Sequence, residues 1–285
     1  MTEHPLEILS RRYPQLLLPL QEGMKDTEQY KNAVLRGNKP EGRLDFSLSA
    51  EDSLTSFATP AGAADVLFLK ERKDFEHAVQ ALAYRCEPRP LPASMGATTI
   101  MGLINWEKIH KHLEAYEAQG NTDLNAEFAR FTSDKANYTD TIILLSAGEY
   151  SAVPAEKIGL GQEEWIDKSV TIRKYHELAH FYSGRAFPQN KEAIRDEVIA
   201  DMLGILAAFD TYDTEKAKLF LGIEQSSYRD GGRLQNYCDK DKLPDVMGRA
   251  LAMIHELEAA LSTIEKSQDL FKILEKIETG RIGTL

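Results

Sequence analysis

His176-Glu177-Leu178-Ala179-His180, followed seventeen residues after His180 by Glu197 in Asp196-Glu197-Val198-Ile199-Ala200-Asp201, is the most chemically specific stretch of this 285-residue chain. Residues i and i+4 of an α-helix lie on one face, one turn apart, so His176 and His180 can address a single ion. Glu177 sits about 100° around the helix from His176 and flanks such an ion without ligating it. Glu197 on a second helix completes a two-histidine, one-carboxylate set that leaves a coordination position open, the mark of a catalytic zinc and not a closed structural one. Asp201, four residues after Glu197, shares its helical face. A ligating histidine usually gives its other ring N–H to a carboxylate, and Asp201 is placed to serve His176 or His180 in that way.

The flanks predict helices at both places. Glu163 to Tyr182 has helical apolar spacing with no internal Gly or Pro, and Gly184 and Pro188 mark its end. Asn190 is the expected N-cap of the next helix, Glu192 to Phe209, where Ile194, Val198 and Ile205 recur with helical period. A turn as short as Gly184 to Gln189 makes the two helices antiparallel neighbours and returns Glu197 towards the histidines.

These residues resemble the gluzincin branch of the zincin metallopeptidases, the thermolysin-like group. The resemblance covers residues 175–204: HExxH at 176–180, then Glu197 to Gly204, which is similar to a glutamate helix with its Glu-x-x-x-Asp and small-residue finish. It implies that His176, His180 and Glu197 bind Zn2+, that Glu177 is the general base, and that Asp201 orients the His176 imidazole. The spacing from His180 to Glu197 is a little tighter than in thermolysin. Such enzymes also carry a His or Tyr that stabilises the tetrahedral oxyanion. No motif locates it here; His255 is the first candidate, with Tyr182, Tyr212 and Tyr228 behind it. Zincins commonly present an edge strand to an extended substrate. Thr141 to Ser146 is the nearest strand, although its continuous apolar run also reads as an ordinary buried strand.

The fold class expected is α+β and zincin-like, with a small mixed sheet in the N-terminal half and a mainly helical C-terminal half. Three segments are expected: a helical and irregular stretch 1–62, an α/β part 63–160, and a helical metal-bearing part 161–285 that forms one catalytic unit with 63–160. Helices are predicted over Pro5–Arg12, Asp26–Leu35, Lys73–Arg85, Trp106–Ala118, Thr214–Phe220, Leu243–Thr263 and Gln268–Glu278, and strands over Ala64–Lys70 and Ala97–Ile104. Glu87–Pro92 reads as a rigid linker. His110 and His112, two residues apart, share no helical face and read as solvated. Leu251, Ile254, Leu261 and Ile264 form a stripe that suits core packing or a homodimer through the C-terminal helices. Asp230-Gly231-Gly232-Arg233 is a turn without the features of a phosphate loop.

A net charge of −11 argues against nucleic acid and anionic membranes as partners. Cys86 and Cys238 imply no disulfide framework. No signal pattern opens the chain and no segment approaches a membrane span, so a cytoplasmic location is expected. The combined reading is a cytoplasmic zinc-dependent hydrolase, a gluzincin-type metallopeptidase acting on peptide or protein, in which water activated by zinc attacks a peptide carbonyl with Glu177 as base. Its rival is a zincin-fold protein that binds metal but serves a regulatory or binding role.

Overall fold

The computed structural model describes residues 3–225, 227–264 and 269–280. It is mixed α+β, with a small mixed sheet in the N-terminal half and helices through the C-terminal half. The chain groups into two units that interleave along the sequence. The first comprises Met1–Thr55, Asp65–Leu91 and Thr98–Ser146, and the second Ser56–Ala64, Pro92–Ala97 and Ala147–Leu285. The three consecutive segments expected from the sequence are therefore not the divisions observed. Residues before 62 cannot form a segment of their own, because strand β1 (Ser53–Thr59) pairs with β2 (Gly62–Leu69) across a two-residue turn.

The sheet is completed by β3 (Ala97–Ile104) and β4 (Thr139–Ser146), in the order β1-β2-β4-β3. β4 runs parallel to β2, from Asp65 opposite Ile142 to Leu69 opposite Ser146. Ile142 to Ser146 are all buried, as a continuous apolar run in an interior strand should be. With a neighbour on each side, β4 cannot offer its edge to a substrate; the edges of this sheet are β1 and β3. The first unit also holds helices α1 (Pro5–Arg12), α2 (Glu28–Tyr30), α3 (Arg72–Leu82), α4 (Trp106–Ala118) and α5 (Leu124–Phe131). α2 is shorter than the expected 26–35 helix because a 3-10 turn precedes it and a π turn over Lys31–Leu35 follows. α3 stops at Leu82, and Arg85 and Cys86 then take left-handed backbone (φ 56° and 63°) that no helix continues. His110 is exposed as expected, but His112 is not merely solvated: its Nε2 lies 2.5 Å from the buried Glu127 carboxylate and its ring stacks on Phe131 at 3.9 Å.

The second unit contains α6 (Ala155–Ile158), α7 (Gln162–Ala186), α8 (Ala193–Phe209), α9 (Thr214–Leu221), α10 (Leu243–Thr263), α11 (Leu270–Thr279) and a two-stranded ribbon of β5 (Ile223–Glu224) and β6 (Ser227–Tyr228). The helix predicted from Gln268 begins within the described residues at Leu270; Gln268 itself lies outside them. α7 runs straight through Gly184 to Ala186, since glycine in a helix costs only about 1 kcal/mol and packing overrides it. The N-cap of α8 is Glu192, whose carboxylate accepts from Ile194 N and Arg195 N. Asn190 instead donates to the backbone and side-chain oxygens of Glu278 on α11, where Glu278 also meets Arg195 at 2.8 Å, both nearly sealed from solvent. α10 turns Ala250, Met253, Ile254 and Leu257 inwards, so Ile254 of the apolar stripe is core while Leu251, Leu261 and Ile264 stay half-exposed.

α7 and α8 are antiparallel and very close. A Cβ on Gly204 would lie 2.8 Å from Ile172 Cγ2 and 2.9 Å from the Ile172 carbonyl oxygen. Gly204 is thus the contact point that lets the helices approach. Gly204→Ala is expected to destabilise the fold by about 1–3 kcal/mol, the usual cost of overpacking. A chemical-denaturation midpoint measures it, and an unchanged midpoint would show that the pair relaxes freely.

Candidate metal centre

The α7–α8 pairing sets His176 and His180 opposite Glu197. The two Nε2 atoms are 3.0 Å apart, His180 Nε2 lies 3.4 Å from Glu197 Oε1, and His176 Nε2 lies 3.5 Å from Glu197 Oε2. Two donors held about 2.0–2.1 Å from a tetrahedral ion are about 3.3 Å from each other. All three separations lie near that value, the two from Glu197 running to its two different oxygens, so two imidazole nitrogens and one carboxylate are close enough to share an ion. Among the described residues these three side chains form a group able to share an ion. The donor set suits zinc, whose ordinary ligands are imidazole nitrogen and carboxylate oxygen. Glu177 follows His176 on α7 and is half-buried beside the group.

Asp201 belongs to His176: its Oδ1 lies 2.9 Å from Nδ1, the ring nitrogen turned away from the shared spot. That arrangement assigns the N–H to Nδ1 and leaves the Nε2 lone pair for a metal. Three further residues close around these carboxylates. Tyr150 donates to Asp201 Oδ1 (2.6 Å) and lies 3.0 Å from His176 Nδ1. Arg233 pairs with Asp201 Oδ2, donates to the Tyr150 hydroxyl (2.7 Å) and stands 3.8 Å from Glu197. Tyr237 donates to Glu197 Oε2 at 2.7 Å.

The electrostatics favour a cation. Burial works against a charged His176, yet its hydrogen bonds with Asp201 and Glu197 outweigh that and lift its pKa to about 9. Burial alone would raise Glu197, but its imidazole partners and Arg233 hold it far below the usual carboxylate range. Burial likewise opposes charge on Asp201, and Arg233 and His176 keep it ionised. A buried cluster that keeps its carboxylates charged favours a positive partner among them. A metal ion bound there would take the place of the proton on a charged His176.

His255 does not join the cluster. It lies on α10 with 59% of its side chain exposed, 3.8 Å from Glu258, and lines a surface depression with Glu215, Lys218 and Glu224. The interior face of α10 is taken by apolar residues, which leaves a polar ring outside. Two of the three tyrosine candidates fall elsewhere too. Tyr182 packs on Phe187 and Phe271, and Tyr228 donates to Gly232 O. The Tyr212 hydroxyl is buried without a hydrogen-bond partner among the described residues, yet it stands within electrostatic reach of Asp201 and so lies nearer the cluster than the other two. The tyrosines whose hydroxyls hydrogen-bond the cluster are Tyr150 and Tyr237. Neither carried a sequence signal, since both sit in irregular segments. Arg233 follows the Gly231-Gly232 turn, whose backbone passes so close to Gly222 that a Cβ there would lie 2.7 Å from Gly232 Cα. The turn was legible; the residue it delivers was not.

The family model described as "Family of unknown function (DUF7005)" matches residues 1–281. The chain belongs to that family. No curated protein and no solved structure matches it. Within this DUF7005 chain, no helix among the described residues is long and apolar enough to cross a membrane.

Proposed function

We propose that this chain is a zinc-dependent hydrolase with a zincin-like fold, a cytoplasmic peptidase of gluzincin type. The observation that carries the reading is the convergence of His176 Nε2, His180 Nε2 and Glu197 at tetrahedral spacing, with Asp201 on the second nitrogen of His176. Zinc held there would polarise a substrate carbonyl and bring the pKa of water down to about 7. The protein's own groups divide the remaining work. Glu177 takes a proton from the attacking water as the new C–O bond forms, and passes it to the amide nitrogen as the C–N bond breaks. Tyr237 replaces His255 as the donor to the carbonyl oxygen that gains charge: its hydroxyl lies against Glu197, and its one proton would turn from that carboxylate to the oxygen as the charge develops.

Elemental analysis of the purified chain, followed by a peptide-library cleavage assay, tests the reading. Bound zinc with peptide turnover is the expected result. Zinc without turnover on any peptide would favour a metal-holding regulatory protein, and no zinc uptake would sink both. The same assay separates the two oxyanion candidates: Tyr237→Phe should lower kcat by about 10²–10³-fold, the usual loss on removing such a donor, while His255→Ala keeps full rate. The reverse ranking would return the role to His255.

A further inference from the structure

We infer that Tyr150 is a positioning residue of the metal centre, holding the His176 imidazole towards the ion from a strained strap, residues 148–153, that Arg173 and Arg233 clamp from two sides. The inference rests on the metal reading above. The strap follows β4 and is tied down along its length. Arg173 on α7, itself buried, donates to Gly148 O (2.6 Å) and Glu149 O (2.7 Å), and Tyr150 N donates to Ser169 Oγ on the same helix. The next two residues, Ser151 and Ala152, both adopt left-handed backbone, with φ of 52° and 53°. Side-chain-bearing residues keep that conformation only where their surroundings over-determine it, and such strain gathers at functional sites.

The ring of Tyr150 is packed independently of its hydroxyl, edge-on to Phe220 at 5.0 Å. The hydroxyl is therefore free for another task, and every part of it points at the centre. Its proton goes to Asp201 Oδ1, and its oxygen receives Arg233 Nη1 while lying against His176 Nδ1. That is the full capacity of a phenol, one donor and two acceptor sites. The His176 N–H thus lies between two oxygens, Asp201 Oδ1 and Tyr150 Oη, and its ring plane is set from both. A strap needed only for packing would not require a buried phenol bonded to a ligand, to that ligand's carboxylate partner and to a buried guanidinium at once.

The support continues outward. A Cβ on Gly96 would lie 2.2 Å from Arg173 Nε, so the segment Pro92–Ala97 passes against the guanidinium that holds the strap. Adding a methyl group at Gly96 must displace Arg173 or the segment itself. The effect should reach His176 through the strap.

Zinc affinity measured by chelator competition, and the visible spectrum of the cobalt-substituted protein, test the inference on the full chain. Tyr150→Phe keeps the ring and its packing. It should retain a folded circular-dichroism spectrum, bind zinc about 10–100-fold more weakly, as loss of a ligand's outer partner does, and show altered cobalt bands. Gly96→Ala should weaken zinc binding in the same direction and serves as the second probe should Tyr150→Phe fold poorly. Affinity and cobalt spectrum unchanged in the folded variants, while the wild type binds zinc, would overturn the inference and leave the metal reading standing. A wild-type chain that takes up no zinc would overturn the metal reading and this inference with it.

Discussion

Glu177→Gln should leave zinc binding intact and lower kcat/KM on a cleavable peptide by about 10²–10⁴-fold, the range that general acid–base catalysis supplies. The substitution preserves size and hydrogen-bonding reach but cannot accept a proton from water. Glu177 is not among the three side chains whose atoms converge, so metal content should not follow activity. Paired measurements of bound zinc and hydrolysis on the same preparation decide the matter. Full activity in the variant would refute the proposed chemistry, and loss of zinc along with activity would make Glu177 part of the metal's support.

Glu197→Gln should have the opposite signature, with metal lost first and activity following. The carboxylate would supply the only formal negative charge among the three proposed ligands, and its side chain is 15% exposed. Replacing it by a neutral amide should weaken zinc binding by more than the ~10–100-fold typical of an outer partner. Tyr237 would lose an anionic acceptor, and Arg233 would keep Asp201 alone as its carboxylate partner. Chelator competition gives the affinity. Zinc bound as tightly as in the wild type would show that the ion sits elsewhere.

The parts of the centre that could be read from the sequence are those that helix geometry dictates locally. Four-residue spacings at 176/180 and 197/201, with a short link between two helical stretches, suffice to face the four side chains across an antiparallel pair. Gly204 adds to this, since a small residue at that point permits the approach to Ile172. The helix ends were harder, because Gly184 and Asn190 carry local preferences that packing and the Glu278 contacts override. Tyr150, Arg233 and Tyr237 were invisible for a different reason. Each reaches the centre from a strap or a turn whose path is set by particular close contacts and left-handed residues, and no periodicity encodes such a path. His255 lies exposed on α10 and outside the cluster, and a lone histidine on an amphipathic helix carries no information about which face it occupies. The apolar run of β4 held the correct answer about its interior position, and an edge role for it required ignoring that run.

The interleaving of the two units has a genetic consequence. The chain passes from one to the other at 55/56, 64/65, 91/92, 97/98 and 146/147. No single crossover in the gene can lift out the unit that carries the candidate metal centre, and a fragment starting at Ala147 would leave behind Gly96, the residue packed against Arg173. The motif of 176–201 looks portable on paper, yet recombination or a truncation library should recover it in working order only together with the N-terminal segments. Exchange of the candidate metal centre as a cassette is hindered by the way the chain is threaded between the two units.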